Sequence, residues 1–509
     1  MPIAAFATLG CKVNQYETQR ILDDFESEGF SITEFNKFAD VYVINTCSVT
    51  QSAERKSRNI IRKLARQNPE AIVVMTGCYG EMAKIKGDTL PEVSLHVSNQ
   101  HKLETLSQVL QTYPGLKGQL AASPRVEQTA KAHRRTRATV KVQDGCNVYC
   151  TFCSIPYTRK HMISRSIDEV IAEIEQRALQ GYREIVITGV LVGAYGQDAF
   201  TSIPASKLPR VDMSANTATK ISGMQELELA DLLLAAARVP GIERVRLSSI
   251  EPTQVTDRLL DAFASEPKLC PHLHIPLQSG DSGVLHRMNR PYDQAFYLDR
   301  CREASARIND LAITSDIMVG FPGEDRAAFE ETLKVVHIVG FARAHLFRFS
   351  PRPNTPAEKM AESVSEAEKV ERFNELMAAC KQTQRQYIQK HIGRTLSVLV
   401  EGKEKKEATS EDMEANSTPS PNVAGEEDYV NRAAPSQSAL LSGYTANYIR
   451  VQFTGGSHLI GTVQPVSLIQ PEEDSAIGEI GFAYFGPMEA PPDAEFISLT
   501  PFKGALVSG

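Results

Sequence analysis

Short apolar runs rich in β-branched residues alternate with helix-type segments from the start of this chain, and that alternation restricts the fold to sheets of parallel strands. Over the first hundred residues the runs IAAFATLG, VYVINTCSV and AIVVMTGCY are separated by the amphipathic NQYETQRILDDFESEGF and by a basic helical stretch ending at Arg66. The pattern reads βαβαβ. After a polar, basic segment from Ser123 to Arg137 with no apolar period, six more strand candidates follow: ATVKVQ, EIVITGVLV, RVRLSSI, HLHIPL, AITSDIMVG and AHLFRFS. Helical patterns separate most of them, which implies a partial or full α/β barrel. One long helix is expected from Ser365 to about Ile392, with Gly393 as the glycine that ends it. The runs TLSVLVE, YIRVQFTG and LIGTVQPVSLI then imply a small all-β domain.

The expected organisation is therefore α/β and multidomain. Residues 1–122 form a parallel-sheet domain, 123–137 a linker, 138–364 a (β/α)6 barrel, 365–393 a connecting helix, 394–470 the β domain and 471–509 an extension. Two stretches read as inserted loops, 200–225 and 403–438, because Ser, Pro, Asn and charge runs dominate them. A length of 509 residues agrees with several cores rather than one. With 42% hydrophobic and 23% charged residues, collagen-like, coiled-coil and wholly disordered chains are excluded. The net charge of −7 argues against coating nucleic acid by bulk charge. No run approaches 18 apolar residues and Met1 to Gly10 lacks a secretory pattern, so a cytoplasmic address and no membrane partner are expected. Nine cysteines are odd in number and too few for a disulfide scaffold, which turns attention to metal or redox roles.

Their placement is informative. DGCNVYCTFCSIPYTRK sets Cys146, Cys150 and Cys153 in a C-x3-C-x2-C loop just past a barrel strand. Three thiolates so close can hold three irons of a cubane cluster and leave the fourth iron free for a small molecule, whereas a structural zinc site wants four ligands. His161 is the nearest fourth ligand for that zinc alternative. Cys11, Cys47 and Cys78 each stand at or just beyond the carboxyl end of one of the first three strands, and parallel strands deliver those ends to one sheet edge. Cys270, Cys301 and Cys380 match neither pattern and read as buried structural residues.

The C-x3-C-x2-C spacing, with Phe152 ahead of its last cysteine, resembles the signature of radical S-adenosylmethionine (SAM) enzymes. Two three-cysteine sets in series, followed by a C-terminal domain of the TRAM type, resemble the methylthiotransferase family over almost the whole chain. TLGCKVNQYET at Thr8 to Thr18 is similar to the branch that acts on threonylcarbamoyladenosine at position 37 of tRNA. The resemblance implies two [4Fe-4S] clusters and SAM as cofactors. It also implies the tRNA anticodon arm as a partner, an electron donor such as flavodoxin or ferredoxin, and a sulfur donor it does not identify. One SAM would methylate a sulfur at the N-terminal cluster; a second would generate the radical that activates carbon 2 of the adenine. An unactivated ring hydrogen is beyond an ordinary base, so no catalytic residue is assigned apart from the clusters. Alternatives are a methylthiotransferase for isopentenyladenosine in tRNA or for a ribosomal protein aspartate, and a zinc-stabilised RNA-binding protein without catalysis.

Polar residues at carboxyl ends of barrel strands are candidates for holding SAM. These are Thr188 and Gly189 after the second strand, Ser248 and Glu251 after the third, Gln278 after the fourth, and Asp316 and Gly320 at the fifth. Helix capping or loop hydrogen bonding is the plain alternative for each. For RNA contacts the candidates are Arg134, Arg135 and Arg137 before the barrel, the basic helix around Arg58, and Tyr444, Tyr448 and Arg450 in the β domain. After Arg159 the sequence continues KHMISRS, where the family commonly has a glycine, which puts that turn in question.

Overall fold

Five parallel strands carry the N-terminal unit: β1 (Ile3–Thr8), β2 (Ser31–Thr33), β3 (Val41–Thr46), β4 (Ile72–Gly77) and β5 (Leu95–His96), in the order β2-β1-β3-β4-β5. The computed structural model describes residues 1–48, 51–88, 90–121, 136–197, 228–361, 363–404 and 438–480. Most of the expected linker and of both inserted loops, together with Arg134 and Arg135, lies outside the described residues. Strand periodicity sorts the sheet's side chains into two layers. Val41 and Val43 pack with Ile21 and Phe25 of α1 (Lys12–Glu28), whereas Tyr42 and Ile44 pack with Ile61 and Leu64 of α2 (Gln51–Gln67) and with Tyr79 of α3 (Cys78–Lys86). The sequence reading omits β2 and β5, which are three and two residues long, too short to show a period.

The second unit contains β6 (Arg137–Asp144), β7 (Ile163–Ser164), β8 (Glu184–Gly189), β9 (Arg244–Leu247), β10 (His272–His274), β11 (Ala312–Val319) and β12 (Arg343–Arg348). Parallel pairing runs β6-β8-β9 and β10-β11-β12, and isolated bridges such as Ser249 to His274 connect the two groups. Among the described residues no pairing joins β12 to β6, so the barrel is partial. The short β7 pairs antiparallel with β6. Val140, Val142, Ile185, Ile187, Val245, Leu247, Leu273 and Ile317 face the helices and form one large apolar core. The alternate, inward positions are mostly polar: Arg137, Lys141, Glu184, Arg244, Arg246, His272, His274, Asp316, Arg343 and His345. A barrel with an apolar filling has no such lining.

The long helix Glu366–Gln389 opens with a capping box in which Ser365 and Glu368 satisfy each other's backbone amides. It ends three residues before Ile392, and Gly393 lies beyond it in the left-handed region at φ +83°. A closed five-stranded barrel follows, built from β13 (Thr395–Lys403), β14 (Ser438–Thr445), β15 (Arg450–Gly456), β16 (Val463–Pro471) and β17 (Ala476–Ile480). β17 corrects the expected end at residue 470, because the strand that closes the barrel comes after it. Among the described residues no helix is long and apolar enough to cross a membrane.

Candidate active site

Parallel register puts Thr8 opposite Asn45 and Asn45 opposite Thr76, so the three strand ends in the N-terminal unit are level. Cys11, Cys47 and Cys78 follow within three residues. Cys47 and Cys78 are buried and Cys11 is exposed. Gly10 (φ +99°) lets the chain pass this point, since a Cβ there would sit 2.6 Å from the Cys47 Sγ. The Cys11 and Cys78 thiols lie within electrostatic reach of each other, and Asn99 Nδ2 is 3.8 Å from the Cys78 Sγ.

The second set follows β6. Gly145 (φ +80°) starts the loop where a Cβ would come within 2.1 Å of the His161 carbonyl oxygen. The loop is fastened to the segment after Leu285: Thr151 N donates to Met288 O at 3.0 Å, and Asn289 Nδ2 donates to the carbonyls of Val148 and Tyr149 at 3.1 and 3.0 Å. The thiols of Cys146, Cys150 and Cys153 feel one another's charge. Burial pushes Cys146 up to about 12 and Cys153 higher still, so these thiols need a cationic partner to ionise. One cation is present, since Arg290 Nη1 donates to Cys150 Sγ at 3.1 Å while the same guanidinium pairs with Glu251. His161, the fourth ligand of the zinc alternative, is exposed. Among the described residues no three His, Cys, Asp or Glu side chains are grouped for a single ion. Cys146, Cys150 and Cys153 share one short loop, the donor chemistry that a cluster with one open iron asks for.

The two sets face one seam. Ser48, next to Cys47, and Ser154, next to Cys153, are buried with hydroxyls 3.3 Å apart, and Asn99 Nδ2 donates to Thr158 O at 3.0 Å. A buried ion network closes the seam behind them. Glu17 of α1 accepts from Lys102 at 2.6 Å, Lys141 of β6 at 2.7 Å and Arg159 at 2.8 Å, and Arg159 also reaches Asp144 at 2.9 Å. Burial opposes a charge on Glu17, yet Lys102, Arg159 and Lys141 hold its carboxyl well below the usual range. The sequence reading missed Glu17, Lys102 and Arg290, because nothing in their local pattern separates them from surface charges.

The SAM candidates fall at the barrel mouth as polar strand-end positions. Ser248 is 4% exposed and its hydroxyl has no hydrogen-bond partner among the described residues, a buried orphan that suits a ligand. Thr188 is buried, and Gly189 brings the backbone against Gln143, to which a Cβ would be 3.1 Å away. Gln278 takes a positive φ of 63° and its amide donates to Asp316 O. Gly320, at φ +76°, has the Lys369 stem where a Cβ would stand. Phe152 lies edge-on to Phe321 at 6.3 Å. Glu251 is already engaged by Arg290, and Asp316 by His274 at 3.4 Å. By donor chemistry the six thiols suit iron and the Ser248 hydroxyl suits a polar ligand, whereas Glu251 and Asp316 are already paired.

The RNA candidates fare differently. Arg137 is on β6, not in a linker, and pairs with Glu401 and Glu184. Tyr444 lies under the Arg137 guanidinium at 5.0 Å, and Tyr448 stacks on His272 at 4.3 Å. Both rings pack the β domain onto the lower end of the barrel, where Arg244 and Arg246 donate to the carbonyls of Tyr444, Thr445 and Ala446. Arg450 pairs with Glu404. Arg55, Lys56, Arg62 and Lys63 of α2 are exposed. The other notable cation, unremarked in the sequence, is Lys12. Surrounding protein and the Arg137 and Arg246 guanidiniums push it down to about 8.

Comparison with known proteins finds a match for each of the first two units. Residues 4–97 match the family described as Uncharacterized protein family UPF0004, and residues 140–336 match the Radical SAM superfamily. A Bacillus subtilis (strain 168) protein named Threonylcarbamoyladenosine tRNA methylthiotransferase MtaB is 35% identical over 478 residues, covering 92% of this chain and 94% of its own. A Thermotoga maritima protein of the same name is 36% identical, covering 79% of this chain and 87% of its own. A Clostridium perfringens protein named tRNA-2-methylthio-N(6)-dimethylallyladenosine synthase is 30% identical, covering 93% and 96%.

Proposed function

We infer the reaction from one premise: the chain belongs to the methylthiotransferase family of radical SAM enzymes. It adds a methylthio group to carbon 2 of N6-threonylcarbamoyladenosine at position 37 of tRNA. The observation that carries this reading is the meeting of two three-cysteine sets at one seam, in a chain alike over nearly its full length to proteins of that name. Cys146, Cys150 and Cys153 would hold the radical-generating cluster, and Cys11, Cys47 and Cys78 a second. Ser248, Thr188 and Gly189 would line the SAM site. When bound, these groups would supply a radical able to remove a ring hydrogen that no side-chain base could take, and SAM would supply the methyl of the incoming group, its sulfur coming from a separate donor.

The chain's own residues do the rest. Arg290 braces Cys150 against Glu251, so the loop is positioned before any cofactor arrives. The Glu17, Arg159 and Asp144 network fixes the N-terminal unit against β6, which sets the distance between the two sets. Ser48, Ser154 and Thr158 are buried where the two units meet. The anticodon arm supplies the substrate base, and a flavodoxin or ferredoxin supplies electrons. The test is incubation of anaerobically reconstituted enzyme with SAM, reductant and tRNA bearing threonylcarbamoyladenosine or dimethylallyladenosine. Gain of the methylthio group on the first tRNA alone is expected; gain on the second alone would move the substrate assignment.

A further inference from the structure

The open side of the barrel is the edge of β12, which pairs with β11 on one side and, among the described residues, with no strand on the other. Its residues sort by face. Ala344 and Leu346 pack into the core beneath the outer helices, and Arg348 reaches Glu366 of the long helix at 3.8 Å, so Arg343, His345 and Phe347 turn inward. These three run from floor to mouth. Arg343 Nη1 donates to the Tyr444 hydroxyl of the β domain at 3.5 Å. Phe347 is level with Met318 of β11, which packs in one cluster with Phe321, Phe349 and, from the cysteine loop, Phe152. Phe347 is not part of that cluster and stays 39% exposed, a bare ring close to the loop that carries Cys146, Cys150 and Cys153. One step below it Asp316 and His345 are neighbours across the same two strands, and the wall turns polar.

An aromatic ring bared at the mouth above a polar layer has the form of a stacking platform, with a face for a base and polar groups for the edge of that base. The SAM candidates Thr188, Gly189 and Ser248 stand at the ends of β8 and β9, away from β12 in the strand order. The side of the mouth formed by β11 and β12 is left for the substrate. A base is also what must arrive there, because carbon 2 of an adenine still stacked in its loop cannot come between two cysteine sets. The base has to be turned out, and a protein ring replaces the stacking it loses. We propose that Phe347 is the face on which the turned-out adenine stacks, entering by the open edge of β12 with its polar edge towards Asp316 and His345. The proposal rests on the tRNA substrate reading above, and it concerns the purine ring rather than its N6 substituent.

The test uses the anaerobically reconstituted full-length enzyme and three anticodon stem-loops. They carry at position 37 threonylcarbamoyladenosine, dimethylallyladenosine, or an abasic ribose, which keeps every phosphate and removes the base. Wild type is expected to bind the threonylcarbamoyladenosine loop about fivefold or more tighter than the abasic loop, the scale of one base on an aromatic ring. Phe347→Leu, which keeps an apolar side chain without the ring, should cut that ratio about threefold or more, with abasic-loop affinity and iron content unchanged. Phe347→Tyr should keep it. If Phe347→Leu separates the loops as strongly as wild type, the Phe347 proposal is overturned and the substrate reading stands. If the ring contributes only for the dimethylallyladenosine loop, the substrate reading moves and Phe347 keeps its place. If wild type binds all three loops alike, both fail. A second arm needs no substitution, so a poorly folded variant cannot mask the outcome. A loop with 8-azidoadenosine at position 37, irradiated on wild type, should label the tryptic peptide 344–348, and labelling confined to the β domain or to α2 would overturn the proposal.

Discussion

Arg290 shows how a single side chain prepares a site. Its guanidinium binds a cysteine sulfur on one side and the Glu251 carboxylate on the other, and it is buried between them. Arg290→Ala removes the cation beside Cys150 and leaves Glu251 without its partner. The expected result is loss of the barrel cluster with the N-terminal one retained, read as a fall from about eight towards about four irons per chain on anaerobic purification. Full iron content in Arg290→Ala would show that the loop needs no such brace. Arg290 was illegible in the sequence because its partners, Cys150 and Glu251, are 140 and 39 residues away. The cysteines themselves were legible, since C-x3-C-x2-C is local and the strand-end positions of Cys11, Cys47 and Cys78 follow from counting strands.

At the scale of elements, the lower end of the barrel is held by charge rather than by apolar packing. Glu184 of β8 is 1% exposed in its side chain and accepts from Arg246 Nε at 2.6 Å. Burial by itself would raise its carboxyl, but Arg246, Arg137 and Arg244 hold it at about 2. A depressed folded value gives stability that is complete above the ordinary carboxylate range, near 4.3, and is lost as pH falls from there towards 2. Urea unfolding should therefore show a stability loss across that window that Glu184→Gln lacks, together with a cost at neutral pH of about 3–5 kcal/mol from the arginines left buried. Equal acid sensitivity in the two proteins would contradict this. Tyr444 and Tyr448 belong to the same floor. Aromatic rings beside a strand turn read equally well as a stacking platform for bases, and only the docking of the β domain onto Arg137 and His272 decides between the two. The inward polar face was present in the sequence as an alternation of charged and apolar residues, for example RVRL in β9, but which face turned inward depended on closure of the barrel.

At the scale of the whole molecule, chemistry at one base needs two metal-binding units held at a fixed spacing. Glu17 is the centre of that clasp, and its contacts with Lys102, Lys141 and Arg159 reach across 85 to 142 residues of sequence, which no local periodicity reports. Glu17→Ala leaves the buried Lys102 without its carboxylate and Lys141 and Arg159 with Asp144 alone, at a cost of about 3–5 kcal/mol. The expected signature is release of the N-terminal unit as a separate, earlier unfolding step in calorimetry and limited proteolysis. A single transition at the wild-type temperature would contradict the clasp.

The central claim is that both cysteine sets serve one reaction on one nucleoside. Its most direct test is mass spectrometry of nucleosides from total tRNA of cells carrying this gene, of a deletion, and of the deletion restored with Cys47→Ala or Cys150→Ala. 2-Methylthio-N6-threonylcarbamoyladenosine is expected to disappear on deletion, to return with the wild-type gene and to return with neither variant. Restoration by either cysteine variant, or an unchanged level of that nucleoside in the deletion, would contradict it.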